Sequence, residues 1–232
     1  MSLELLTLDF RGVGLAIVIG VAMLLLGGTQ FMGWFFVVAM IYFLAISAIV
    51  TRLGSRYKKR ANLYQKARGV RNVLGNGLGP LIFVVVFYYF SVYGQDPAVY
   101  LVTVAAFLSS VAAVTSDKFS SEIGVLDGTP TSIVTFKEVK KGESGGITAL
   151  GLGAGTIGAA LIAVTFLAVP GLSPTHEVEL VAIVLVGGIV GTIVDSFLGH
   201  FEEKGIGNKH LSNFLCSLAG GVVGALLVSI LL

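Results

Sequence analysis

Long apolar runs separated by short polar breaks organise this chain. Gly12 to Thr51 is forty residues without a charge. At 1.5 Å rise per residue that is roughly 60 Å of helix, twice a ~30 Å hydrocarbon core. The polar break Gly27-Gly28-Thr29-Gln30 falls where two helices need a turn, which predicts spans near 12–27 and 31–51. A Gly-Gly break also fits a re-entrant pair. Between Asn72 and Ser116 the only charge is Asp96, within the turn-like Gly94-Gln95-Asp96-Pro97, giving spans near 79–93 and 98–116. The run Ser144–His176 predicts a span near 147–169, ended by Pro170-Gly171, and two more follow near 179–199 and 211–231.

The pattern therefore predicts an all-α, polytopic integral membrane bundle of about seven transmembrane helices, one domain over 1–232. Composition agrees: 55% of residues are hydrophobic and 12% charged, with a mean hydropathy of +0.93. A soluble domain carries about a quarter charged residues. The N-terminus lacks a cationic leader region and a cleavage site, so the first run is expected to stay as a span. Cys216 is the only cysteine, which excludes an intrachain disulfide.

Charge adds sidedness. All fifteen Lys and Arg fall at Arg11, between Arg52 and Arg71, between Lys118 and Lys141, or at Lys204 and Lys209. The alternate turns at 27–30, 94–97 and 170–178 hold none. Cationic loops stay in the cytoplasm. This puts the N-terminus and segments 52–77, 117–146 and 200–210 on the cytoplasmic side, with the C-terminus outside.

Small residues recur every fourth position in the last three spans. Gly151, Gly155, Ala159 and Ala163 form one stripe, Asn213, Ser217 and Gly221 another, and Gly187, Gly191, Asp195 and Gly199 a third. Such stripes let helix backbones approach closely in lipid, within one chain or between two, which leaves a homodimer open. Asp195 breaks the apolar rule on its stripe, and an ionisable group in a span reads first as functional. Gly153-Ala154-Gly155-Thr156-Ile157-Gly158 fits a dinucleotide fingerprint by letters, but it lies inside a span without a preceding strand. It reads as helix packing.

The three cytoplasmic segments carry the candidate chemistry. In 52–77, Leu53, Tyr57, Ala61 and Tyr64 share a face among many cations, which predicts a basic amphipathic helix against membrane lipids. Arg71-Asn72 and Asn76-Gly77 stand at the mouth of the third span, where Arg can grip phosphate. In 117–146, a helix continued through Asp117 would turn Glu122 about 140° away. Either the helix unwinds near Ser120-Ser121 or Glu122 serves a neighbour. Ile133-Val134-Thr135-Phe136 reads as a short strand or extended loop. Lys137, Lys141 and the Gly145-Gly146 pair form a candidate phosphate cradle opening the fifth helix. In the last segment, Asp195 precedes Asn208, Lys209 and Asn213. Carboxylates able to hold Mg²⁺ beside cations able to hold polyphosphate suit phosphoryl or nucleotidyl transfer. No Walker A, zinc motif or nucleic-acid module is present.

The same residues carry a family resemblance. Arg71 through Gly77 resembles R-N-x-x-Q-V-L-x-N-G, and Asp117 through Gly124 resembles D-T-W-A-S-E-I-G. Pro130 through Gly146 is similar to P-x-x-I-T-T-x-x-x-V-P-x-G-T-x-G-G-V, Ile193 through Gly199 matches I-V-D-S-x-L-G, and Asn208 to Phe214 is similar to N-N-x-x-N-F. These are motifs of the transmembrane protein 19-like family, which includes the plant chloroplast phytyl-phosphate kinase. The chain departs from them at Lys118, Phe119 and Lys209, and lacks the Gln before Val73. The resemblance implies transfer of the γ-phosphoryl of CTP, or another nucleoside triphosphate, to a prenyl monophosphate such as phytyl or geranylgeranyl phosphate. It implies Mg²⁺ on Asp117, Asp195 and Glu122, with the triphosphate on Lys137, Lys141, Gly145 and Gly146. Arg71 and Asn76 would hold the acceptor phosphate, with Asn72, Asn208, Lys209 and Asn213 nearby. A cytidylyltransferase making a CDP-lipid, or a transporter using Asp117 and Asp195 as an ion path, are the alternatives.

Overall fold

The computed structural model describes residues 8–28, 31–53, 55–60, 69–94, 97–126, 128–169 and 176–232. The elements are α1 (Phe10–Leu26), α2 (Met32–Leu53), α3 (Ser55–Arg60), α4 (Val70–Tyr93), α5 (Pro97–Gly124), β1 (Thr131–Ser132), β2 (Gly146–Ile147), α6 (Ala149–Ala163), α7 (Glu177–Glu202) and α8 (Lys209–Leu231). A 3₁₀ segment, Val164–Ala168, extends α6. Among the described residues, six helices are long and apolar enough to cross a membrane, and α1 is a shorter apolar helix. At 17 residues α1 covers about 25 Å, somewhat less than a hydrocarbon core. The spans fall where the apolar runs predict, with two differences. Helix α4 begins at Val70, so Arg71, Asn72 and Asn76 are helical, and α5 runs unbroken to Gly124, so Asp117 and Glu122 are helical too.

Helix α5 is the axis of the bundle, packing against α2, α4, α6, α7 and α8. Its two halves differ. Toward its start, Phe107 meets Phe36 of α2 with ring centroids 4.6 Å apart, and Phe36 meets Phe87 of α4 edge-on at 5.2 Å. Farther along, Ser109, Ser110, Thr115 and Ser116 are buried, Ser109 against Gly187 of α7 and Gly224 of α8, Ser110 beside Gly79 of α4 and Ser116 against Gly155 of α6. Large rings lock one half by area, while missing side chains let backbones close up in the other. A Cβ on Gly187 would lie 2.7 Å from Ser109 Cβ and 2.9 Å from the Gly220 carbonyl oxygen. Gly187→Val is therefore expected to cost about 1–3 kcal/mol by overpacking and to lower the detergent melting temperature. Gly153→Val, with nothing within 4 Å of its Cβ, should leave it unchanged.

Between α5 and α6 the polar segment folds as a small hairpin. Thr131 pairs with Ile147 and Ser132 with Gly146, antiparallel. The short strand or extended loop expected over 133–136 is instead a turn. Ser132 Oγ accepts the Val134 and Thr135 amides, and Phe136 has φ of 55°. The serine hydroxyl offers the backbone a local partner and so outcompetes extension. Thr148 then caps α6, accepting from the Gly151 amide at 3.0 Å, and donates to the Gly124 carbonyl, which ties α5 to α6. The amphipathic face expected through Leu53, Tyr57, Ala61 and Tyr64 extends into residues 61–68, outside the described ones.

Candidate functional site

The residues that end α2 and α5 and begin α4 and α8 meet at one end of the bundle, with Asp195 of α7 beneath them. Together with the hairpin they enclose a cavity of about 500 Å³. Its lining includes Asp117, Glu122, Glu143 and Asp195, the lysines 58, 118, 141 and 209, and the amides of Asn72, Asn76 and Asn213.

The carboxylates fall into two groups. Asp195 lies two turns above Gly187 and Gly188 on the close-packed stripe of α7, and is buried. Lys209, the first residue of α8, donates to Asp195 Oδ2 at 2.6 Å and stands 3.7 Å from Asp117 Oδ1. Two helices distant in sequence thus present acids to one ammonium. Like charges held this close are costly without a cation, and Lys209 supplies it. Asp195 Oδ1 remains buried with no hydrogen-bond partner.

Glu122 forms the second group. Because α5 does not unwind, its side chain turns away from Asp117 toward α2 and α3. It pairs with Lys58 of α3 and with Lys118 one turn back, and Thr51 Oγ1 lies 3.2 Å from its Oε1. Glu122 and Lys58 side chains are only 8% and 9% exposed, so this is a buried ion cluster and not a surface pair. Of the two outcomes that helical geometry allows, the neighbour-serving one is found. Among the described residues no three His, Cys, Asp or Glu side chains are grouped to hold a metal ion. Glu122 therefore does not complete a three-carboxylate set, whereas Asp117 and Asp195 face a common point.

An amide relay links α4 to α8. Asn213 Nδ2 donates to Asn76 Oδ1 at 2.9 Å, and Asn76 Nδ2 donates to Asn72 Oδ1 at 3.3 Å. Gly75 makes this approach close, since a Cβ there would lie 2.8 Å from the His210 carbonyl oxygen.

The hairpin closes the cavity by docking on the end of α7. The Ser144 amide donates to Glu203 Oε1 at 2.8 Å, and Ser132 Oγ lies 3.4 Å from His200 Nδ1. Gly145 sits at φ 80°, where a Cβ would be 2.6 Å from the His200 nitrogen. The predicted glycine pair is thus first of all a contact surface for α7, and the Gly146 amide is directed at the Glu143 carbonyl. Lys141 lines the cavity. Arg71, Lys137 and Asn208 do not: Arg71 and Lys137 are exposed, and Asn208 caps α8 by accepting from the His210 and Leu211 amides. Sequence reasoning passed over Lys58 and gave Lys118 no role with Glu122. The second carried a signal, since it stands four residues before Glu122 on a helix.

The Integral membrane protein DUF92 family matches residues 1–213. The chain belongs to this family. An uncharacterized membrane protein of Methanocaldococcus jannaschii is 35% identical over 199 residues, 85% of this chain and 78% of that one. Protein PGR of Arabidopsis thaliana is 30% identical over 203 residues, 80% of this chain and 67% of its own. No solved structure matches. The DUF92 match ends at Asn213, so it spans the whole cavity from Thr51 onward. This DUF92 chain is a polytopic integral membrane protein whose polar residues gather at one end of the bundle.

Proposed function

We propose that this DUF92 chain is a Mg²⁺-dependent phosphotransferase that moves the γ-phosphoryl of CTP, or another nucleoside triphosphate, to a prenyl monophosphate. The observation that carries this reading is the meeting of Asp117 and Asp195 in a cavity they share with four lysines. The motif resemblance supplies the substrate class. The concentration of Lys and Arg at this end of the bundle supports a cytoplasmic site, open to soluble nucleotide.

The residues fit a divalent ion carried by two carboxylates. Mg²⁺ keeps several waters and binds through one or two carboxylates plus substrate phosphates, and Asp195 Oδ1 is an unused buried acceptor. When bound, the ion would neutralise charge on the donor phosphates. The chain's own residues do the positioning. Lys141 and Lys209 at the rim hold the polyphosphate by charge. The Asn76–Asn213 pair fixes α4 against α8, and Asn213 Oδ1, buried without a partner, is aimed at the same space. In the transfer, an oxygen of the acceptor monophosphate forms a bond to the γ-phosphorus while the bond to the β,γ-bridging oxygen breaks. Prenyl diphosphate and nucleoside diphosphate result. The acceptor is already anionic near pH 7, because a phosphate monoester loses its second proton near pH 6, so no general base is required. The apolar chain stays among the lipid-facing helices.

Purified protein given γ-labelled CTP, Mg²⁺ and geranylgeranyl phosphate is expected to place label in the lipid fraction and to release CDP. Label released as pyrophosphate would instead identify a cytidylyltransferase. Absence of nucleotide turnover with every triphosphate and lipid phosphate would remove the enzymatic reading and favour transport.

A further inference from the structure

Lys209 differs from the acids it touches in one respect that matters for exchange. The Asp195 and Asp117 side chains are 6% and 14% exposed, whereas that of Lys209 is 42% exposed. The acids are fixed within α7 and α5. The ammonium reaches them from the rim on four flexible methylenes, a compact and strongly hydrated charge. Two acid side chains also share this one ammonium. Glu202, the last residue of α7, adds its negative field at the same ammonium. The Asp195 Oδ1 oxygen is buried without a hydrogen-bond partner. Such an orphaned acceptor is costly in an apolar interior, and it is what a small cation takes.

We propose that Lys209 is a built-in counter-ion to the Asp117–Asp195 pair, that a divalent cation displaces it, and that the displaced ammonium turns to an incoming phosphate. This rests on the reading of the pair as a divalent-ion site. It adds a reason for the lysine: a bare ion must compete with a tethered cation, whereas an ion arriving with a polyphosphate gives that cation a new partner. Linkage then makes the effect reciprocal, so metal and triphosphate each tighten the other.

The test is Mn²⁺ binding to the full-length protein in detergent, followed by electron paramagnetic resonance without any turnover. Lys209→Gln is expected to bind Mn²⁺ about tenfold tighter than wild type or more, the usual size of such a coupling. Lys209→Arg should stay weak, and Asp195→Asn added to Lys209→Gln should abolish the gain. A second readout uses the wild type alone, in case the Gln variant does not fold. Acylation of the Lys209 amine by a water-soluble active ester, read by mass spectrometry, should quicken several-fold at saturating Mn²⁺. Equal Mn²⁺ affinity in wild type and Lys209→Gln, or labelling unmoved by Mn²⁺, overturns the exchange and leaves the phosphotransfer reading standing. Absence of Mn²⁺ binding in both proteins overturns the exchange and the ion site together.

Discussion

Asp195→Asn is expected to reduce phosphoryl transfer on the order of a thousandfold, the scale on which one preorganised electrostatic group acts, while the protein stays folded and monodisperse in detergent. The substitution keeps the shape of the side chain, so the close packing of α7 on α5 and α8 survives. It removes the charge of a buried acid that Asp117 cannot replace, because Asp117 is the more exposed partner and belongs to another helix. Asp117→Asn should act in the same direction. Full turnover in Asp195→Asn, measured with labelled CTP and geranylgeranyl phosphate, would take this residue out of the mechanism.

The second large effect is on stability. Glu122→Leu removes the acid that Lys58 and Lys118 share, and both lysines are largely buried. Removing one partner of a buried ion pair costs about 3–5 kcal/mol, so the melting temperature in detergent should fall by many degrees. Replacing Lys58 as well, Lys58→Met with Glu122→Leu, should recover part of the loss, since an apolar pair of similar volume often matches a buried ion pair and only Lys118 then loses its acid. The double-mutant cycle isolates the coupling. An unchanged melting temperature in Glu122→Leu would mean that the cluster is not what holds α3 against α5.

The contrast between these two acids shows how far the chain could be read before its structure was known. Asp195 was legible because it interrupts a four-residue spacing of glycines, which places it on a packed face. The position of Asp117 followed from where the fourth apolar run ends. Glu122 was legible only as a choice, because helical geometry states which way it turns and not what waits there. Its partners come from α2 and α3, and Thr51 lies 71 positions away. Periodicity carries no information about such pairings. The cations were read least well. Arg71, Lys137 and Lys141 share one charge and similar surroundings in sequence, yet only Lys141 lines the cavity. Rotation about a helix axis and the fold of a hairpin decided between them. Asn208 could have been set aside earlier, since an Asn just before an apolar helix is an N-cap signal.

The most direct test of the shared site is anomalous diffraction from crystals grown with Mn²⁺ and a non-hydrolysable CTP analogue. The account predicts a manganese peak between the Asp117 and Asp195 carboxylates, with the triphosphate running toward Lys141 and Lys209. A peak elsewhere in the molecule, or a nucleotide bound away from these two acids, would contradict it.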